Sequence, residues 1–308
     1  MDALHLLLPR LDPNQGCTEA TCDPSRSIYG YRPSLAATAI SLIIFALSGI
    51  VYIFQGIKSK TWFFSVAMFL GCFSETLGYV AKMLLWDDPF SDTGFKMSVV
   101  LLTFAPAFYS AGVYYTLKHI CLTFGSSFSR LRPSWYTWIF ISCDVFSIIL
   151  QAAGGATASA SEDQAVLKIG DNIMIAGLAF QVFTMVVFGI FAADYGFAIL
   201  RNRNSLNPET ASLRNSRRFK LFIVALWVSY FAILIRCAYR LAELAKGWSD
   251  DNEILRNQGL FIGLDSVTCA IATIVLNIWH PGWCFPKESQ DLAEKLASES
   301  SSDEEARI

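Results

Sequence analysis

Long uncharged runs recur along the chain and are separated by short polar segments. A helix needs about 20 mostly apolar residues to cross the hydrocarbon core of a bilayer. Seven segments meet that length: 34–55, 62–85, 95–124, 135–157, 171–197, 219–239 and 259–280. Most tryptophans lie near the ends of these segments, where indole rings favour the membrane interface. The pattern predicts an all-α integral membrane protein with seven transmembrane helices.

Composition agrees with this prediction and divides the chain into three parts. The chain is 54% hydrophobic and 16% charged, whereas soluble domains are about 25% charged. We expect an extracytoplasmic N-terminal tail at 1–33, a seven-helix membrane domain at 34–281 and a cytoplasmic tail at 282–308. The last part is acidic and serine-rich, which is typical of disorder.

Basic residues are divided unevenly between the two sets of loops, and cytoplasmic loops carry the excess of Lys and Arg. The rich set holds Lys58, Lys60, Lys118, Arg130, Arg132, Arg201, Arg203, Arg214, Arg217, Arg218 and Lys220. The poor set begins with W-D-D-P-F-S-D and offers Lys96, Lys168, Lys246 and Arg256. This bias predicts an N-terminus outside and a C-terminus in the cytoplasm, although Arg10, Arg26 and Arg32 in the N-terminal tail oppose it.

The nucleotide-binding and hydrolase motifs that we looked for are absent from the sequence. It contains no G-x-x-x-x-G-K-[ST], no G-x-S-x-G and no H-E-x-x-H. The three histidines, His5, His119 and His280, are too scattered for a zinc hydrolase site. A net charge of -2 gives no basic field for nucleic acid. We therefore expect no enzyme activity, no cofactor, no metal, and neither nucleic acid nor nucleotide as a partner. Cys17 and Cys22 could form a local disulfide if the N-terminal tail is extracytoplasmic.

Ionisable and polar side chains lie inside the predicted spans at middle or outer depth. Such groups are costly in a bilayer and usually face the bundle interior or a wet cavity. Spacings of three and four residues place those of the second span on one helical face, and likewise those of the sixth. We expect ten residues to line a polar site near the outer side: Glu75, Tyr79, Lys82, Asp144, Gln151, Gln181, Arg236, Arg240, Glu243 and Asp265.

Two roles stay open for these residues. The acids could pair with Arg236, Arg240 or Lys82 and fix the fold, or they could contact a ligand or a proton. Tyr79 and the two glutamines could be hydrogen-bond partners between helices rather than ligand contacts. Pro106 in the third span frees a backbone carbonyl, because proline has no N–H to donate.

Between about residues 31 and 282, several fragments resemble the fungal lipid-translocating exporter family, whose seven-span members include the sphingoid long-chain-base exporter. Its E-x-x-G-Y-x-x-R is similar to Glu75, Gly78, Tyr79 and Lys82, with lysine in place of arginine. Its other motifs resemble Ala105-Pro106-Ala107 with Tyr114, Asp144 with Ser147, Gln151, Gly154 and Gly155, Gly177 with Gln181, Arg236 with Arg240, Glu243 and Gly247, then Glu253, Asp265 and His280-Pro281-Gly282.

The resemblance implies an exporter or flippase that moves an amphipathic, lipid-like molecule across the bilayer. Candidate substrates are a sphingoid long-chain base, a sterol-like amine or a toxic metabolite, with efflux or drug resistance as the outcome. A membrane lipid or amphipathic small molecule is then the expected partner, and the plasma membrane or another endomembrane the expected location. The alternative is a seven-span receptor or lipid sensor, which the topology and the basic third cytoplasmic loop also fit.

Overall fold

A computed structural model describes residues 22–125, 128–159, 163–202, 213, 215–247 and 252–284. Seven helices in this part of the chain are long and apolar enough to cross a membrane, which confirms the predicted all-α, seven-span protein. The first six are α1 (Leu35–Ser59), α2 (Trp62–Asp87), α3 (Asp92–Phe124), α4 (Pro133–Ser159), α5 (Gln164–Arg201) and α6 (Arg217–Ala245).

The seventh span, α7, is a composite helix. It begins with an α-helical turn at Gln258–Phe261, continues as a π-helix at Ile262–Val267 and ends as an α-helix at Thr268–Ile278. A π-helix bonds i to i+5, is rare in proteins, and is found frequently at functional sites. A short helix, α8, follows at Pro281–Cys284.

Several helix starts are fixed by polar caps, and one of them moves a predicted boundary. Asp163 accepts a hydrogen bond from the Ala165 amide at 2.9 Å, so α5 begins seven residues before the predicted 171. At 38 residues, α5 is about 57 Å long at 1.5 Å per residue, well beyond the roughly 30 Å of hydrocarbon. The apolar pattern marks only the part of α5 that lies in lipid.

The helices form a closed bundle around α3. Successive helices pack side by side, α7 returns to α1, and α3 also contacts α5 and α6. Of the apolar window of α3, 72% is buried, against 28% for α4. Ile43, Leu47 and Trp138 are among the many large apolar side chains exposed on the outer surface. Exposed apolar surface on this scale fits lipid contact rather than water.

Glycines allow α4 and α5 to approach closely. A Cβ atom on Gly154 would lie 2.6 Å from the Gly170 carbonyl oxygen, and one on Gly170 would lie 2.6 Å from the Ala158 amide nitrogen. A larger residue at either position would force the helices apart. Small residues at membrane helix interfaces serve this purpose.

The segment before α1 lies against the end of the bundle where α2 finishes and α3 starts. The Tyr29 ring packs edge-on against Phe95 at 5.2 Å between centroids, and Arg32 Nε donates to the Trp86 carbonyl at 2.7 Å. Cys22 is held in a disulfide. Its expected partner, Cys17, and the predicted C-terminal tail from residue 285 onwards lie outside the described residues.

Candidate functional site

A chain of alternating charges crosses the bundle interior from α2 to α7. We call Glu75, Arg236, Arg240, Glu243 and Asp265 the ion cluster. Each side chain is at most 2% exposed. Arg236 lies 3.4 Å from Glu75 and 3.3 Å from Asp265, and Arg240 lies 2.9 Å from Asp265 and 2.5 Å from Glu243. The sequence predicted these five residues at middle or outer depth, and the structure brings their charged groups into contact.

Helix geometry explains how the ion cluster forms. Arg236, Arg240 and Glu243 stand four and three residues apart, so they share one face of α6. Asp265 lies in the π-helical segment of α7 and bridges the two arginines. Thr268 donates to the Leu264 carbonyl at 2.7 Å, so its hydroxyl satisfies an acceptor in this irregular part of the helix.

Pro106 supplies a further acceptor for the ion cluster. It lies inside α3 and lacks an N–H, which leaves the carbonyl of Leu102, four residues earlier, without its helical donor. The Arg236 guanidinium donates to that carbonyl. Arg236 therefore joins α2, α3 and α7 at one point. The free carbonyl could be predicted from the proline, but its partner on α6 could not.

Lys82 lies next to the ion cluster and is 2% exposed. Its ammonium lies 3.3 Å from the centroid of the Phe261 ring and 4.7 Å from that of Tyr29. Aromatic faces stabilise a cation that has left water. With Lys82 included, three carboxylates face three basic groups, so this region is electrically balanced. Beside it, Tyr79 donates to Ser266 at 2.6 Å and ties α2 to α7.

The remaining predicted site residues form two other polar groups. Gln151 on α4 donates to Gln181 on α5 at 3.0 Å. Asp144 on α4 lies 2.5 Å from the Ser110 hydroxyl on α3. Among the contacts within the described ranges, no hydrogen bond or ion pair connects either group to the ion cluster. The ten residues thus fall into three groups rather than one.

The ion cluster keeps some polar capacity. Glu75 Oε2, Asp265 Oδ2 and Arg240 Nη2 are buried and have no hydrogen-bond partner in the described part of the chain. A pocket of about 10 Å³ lies beside Tyr79 and Lys82, which is about the volume one water molecule requires. This pocket alone is much smaller than a wet cavity that could hold the head group of an amphipath.

A large cavity lies towards the opposite end of the bundle, between α3, α5 and α6. Its volume is about 410 Å³, within the range of small-molecule sites. The walls are apolar except for Tyr195, Tyr230 and Lys220, and Leu200, which is 74% exposed, lies on the rim. The other lining residues are Val113, Leu117, Ile120, Phe124, Phe188, Ala192, Gly196, Ile199, Phe219, Ile223, Leu226 and Trp227.

Sequence reasoning missed this apolar cavity, because its lining has the same composition as ordinary bundle core. Tyr195 offered a weak signal, since it is a side chain with a polar group close to the C-terminal end of the fifth predicted segment. Its hydroxyl lies 3.3 to 3.5 Å from the carbonyl oxygens of Ile120, Cys121 and Gly125, at the C-terminal end of α3. It therefore holds one wall of the cavity in place.

His280 and the possible metal ligands, which the sequence analysis considered, can now be placed in the structure. His280 is fully buried beside Ser65, 3.4 Å away, and its Nδ1 accepts from the Gly282 amide at 3.1 Å. It therefore fixes the turn into α8. Within the described ranges, no group of three or more His, Cys, Asp or Glu side chains is placed to hold a metal ion.

Comparison with known proteins places the chain among fungal membrane proteins. A sphingoid long-chain base transporter of Saccharomyces cerevisiae is 30% identical over 94% of this chain and 81% of its own length. A probable lipid transporter of Emericella nidulans is 25% identical over 83% of this chain and 68% of its own length. Protein RTA1 of Saccharomyces cerevisiae is 25% identical over 82% and 84%, respectively.

No solved structure matches the chain. The family model described as RTA1 like protein matches residues 68–288, which include all ten predicted site residues and every residue that lines the apolar cavity. With that match and the 30% identity to a relative over most of both chains, the protein is a member of the RTA1-like family.

Proposed function

We propose that this protein is a transporter that moves an amphipathic, lipid-like molecule from one leaflet of a membrane to the other. The names of two relatives, a sphingoid long-chain base transporter and a probable lipid transporter, support this proposal. The single observation that carries it is the apolar cavity of about 410 Å³ in a bundle that also buries an ion cluster. Such a pair of features suits a molecule with an apolar chain and a charged head.

The apolar cavity accommodates the chain of the substrate. Its walls come from three helices, and Leu200 on its rim is exposed at the bundle surface. A chain that leaves lipid for such a cavity loses little hydrophobic free energy, because both surroundings exclude water. The protein therefore needs to stabilise mainly the head group.

The polar residues provide a route for that head group. Moving a bare charge through hydrocarbon is expensive. On α6, Tyr230 of the cavity and Arg236 of the ion cluster are six residues apart, or about 9 Å at 1.5 Å per residue. Buried atoms without partners, such as Glu75 Oε2 and Asp265 Oδ2, can accept hydrogen bonds from an ammonium or a hydroxyl. In the conformation described, the ion cluster is closed by its own pairs, so we propose that substrate entry opens some of them.

The ten predicted residues have different parts in this proposal. Asp144 and the ion cluster contact the head group, Lys82 balances the charge of the cluster, and Tyr79, Gln151 and Gln181 hold neighbouring helices together. No substrate bond is made or broken, and no nucleotide is hydrolysed. The plasma membrane is the proposed location, with the basic loops towards the cytoplasm.

Lipid translocation by the purified protein tests the proposal. Vesicles containing only this protein receive a fluorescent long-chain amine, and a membrane-impermeant quencher reports how fast it changes leaflets without ATP. We expect clear acceleration by the wild type, loss of at least tenfold in Glu75→Gln, and little change in Arg130→Gln. The last variant is a matched control, because Arg130 pairs with Asp194 at 2.7 Å on the exposed surface.

Two results would count against the proposal. Wild-type vesicles no faster than protein-free vesicles would contradict transport, and tight amine binding without translocation would favour the alternative of a receptor or sensor. Mass spectrometry of the recovered amine checks the remaining point, since a chemically altered product would indicate an enzyme.

A further inference from the structure

Asp144 is a buried acid without a basic partner. It lies near the middle of α4 and is 2% exposed. Among the described residues no Lys, Arg or His pairs with it, whereas the three carboxylates of the ion cluster each have an arginine. Its Oδ1 atom has no hydrogen-bond partner in the same part of the chain. A bare carboxylate in such surroundings is costly, and a buried acid normally acquires a counter-charge or a proton.

The groups around Asp144 supply no positive charge. Ser110 and Tyr114 face it from α3, Cys237 faces it from α6, and Cys143 precedes it on α4. All four are neutral in their ordinary forms near pH 7. No side chain within the described ranges supplies the compensating charge, which leaves a proton or a bound cation to supply it.

The hydrogen bonds of Ser110 indicate a proton on Asp144. The Ser110 hydroxyl lies 2.5 Å from Asp144 Oδ2 and 2.9 Å from the Ala107 carbonyl oxygen. A hydroxyl has one hydrogen to donate. With an ionised Asp144 the single Ser110 hydrogen is shared between two acceptors, whereas a protonated Asp144 that donates to Ser110 leaves that hydrogen for the Ala107 carbonyl and makes both contacts full hydrogen bonds.

Asp144 also lies close to the apolar cavity. The ring of Tyr114 packs against that of Phe188 with 4.4 Å between centroids, and Phe188 lines the cavity, as does Val113, the neighbour of Tyr114. One layer of aromatic side chains thus separates the cavity from Asp144. Rotation of these rings would bring the end of a bound molecule to the carboxyl group.

We propose that Asp144 is a site where a proton and a cationic amine exchange. In the empty protein the carboxyl group holds a proton. When an amphipathic ammonium arrives with its chain in the cavity, the carboxyl group releases that proton to water and the carboxylate pairs with the ammonium. One positive charge enters as another leaves, so the bundle never buries a net charge. The inference rests on the proposed function, since it assigns a site to the transported amine.

Proton release on amine binding tests the inference directly. Purified protein in weakly buffered detergent receives a long-chain primary amine, a pH indicator records released protons, and infrared spectra record the protonated carboxyl band. We expect the wild type to release about one proton per bound amine and to lose a carboxyl band. Asp144→Asn should release no proton and lack that band, because it has no carboxyl group. Its amide can donate to Ser110 as the protonated acid does, so the fold should persist. Asp194→Asn, which removes a partly exposed acid that pairs with Arg130, should behave as the wild type.

The other possible outcomes of this experiment overturn either the proton-exchange inference or the proposed transport function. A wild type that translocates the amine with no proton release, or an Asp144→Asn variant that releases as many protons as the wild type, overturns this inference and leaves transport standing. A wild type that neither binds nor translocates the amine overturns the proposed function and this inference together. If Asp144→Asn does not fold, Asp144→Glu keeps the titratable group and should retain both proton release and the infrared band. Loss of either in a folded Asp144→Glu overturns the inference.

Discussion

The two halves of the bundle differ in what they bury. One half holds the ion cluster, in which five charged side chains pair tightly, and a pocket for about one water molecule lies beside Tyr79 and Lys82. The other half holds a cavity of about 410 Å³ whose walls are almost entirely apolar. Helix α6 runs through both, with Tyr230 on the cavity and Arg236 in the ion cluster. Space for an apolar chain and groups for a polar head are thus separated along one helix.

This separation indicates that the two halves have different functions. A buried ion pair is weak evidence for stability, because desolvation offsets much of the attraction, yet removal of one partner is costly. An apolar cavity costs stability through lost packing. Each feature is unfavourable or neutral for folding alone, so both fit a protein in which a bound amphipath connects them.

Loss of Arg236 is the change that we expect to have the largest effect. Arg236→Ala leaves Glu75 and the Leu102 carbonyl without their shared donor. Removing one member of a buried pair destabilises by about 3–5 kcal/mol, which denaturant titration in detergent can measure. Arg130→Ala removes an exposed partner and should cost at most about 1 kcal/mol. Equal losses in the two variants would contradict a special role for the buried cluster.

Filling the apolar cavity should abolish transport with little effect on stability. Gly196 lines the cavity, and a Cβ atom there would meet nothing within 4 Å. Gly196→Leu therefore places a side chain in the open space and should slow translocation at least tenfold, as the vesicle assay measures. Gly155 on α4 also has open space around its Cβ position but does not line the cavity. Gly155→Leu is thus the matched control, and a similar loss of transport in it would remove the argument for the cavity.

The sequence predicted the ion end of the molecule better than the cavity end. Residues such as Arg236 and Asp265 stand out because charge is rare in a span, and helical spacing places them at one depth. Cavity residues such as Leu117 and Phe188 carry no such signal, because an apolar side chain against a void reads the same as one in a packed core. The π-helix around Asp265 and the approach of Ser110 to Asp144 depend on how helices pack, which periodicity does not specify.

Substitution of Pro106 tests the contact between Arg236 and the Leu102 carbonyl, and is the prediction with the smallest expected effect. Pro106→Ala restores an N–H that can bond to the Leu102 carbonyl, a gain of about 1 kcal/mol for an ordinary hydrogen bond, and that N–H competes with Arg236 for the carbonyl. We expect unchanged or raised thermal stability together with transport reduced about two- to fivefold. Pro133→Ala changes the first residue of α4, where proline is tolerated, and should leave transport unchanged. Wild-type transport in Pro106→Ala would show that the carbonyl contact is dispensable.

The most direct measurement is to locate a bound amphipath in the protein. A long-chain amine with a photoreactive group at the end of its chain is bound to the protein in vesicles, irradiated, and its attachment sites are mapped by mass spectrometry. The account predicts labelling of α3, α5 and α6 at residues such as Leu117, Ala192 and Leu226, which Gly196→Leu abolishes and Gly155→Leu leaves intact. Labelling spread evenly over exposed positions such as Trp138 and Phe54, and unchanged by Gly196→Leu, would contradict it.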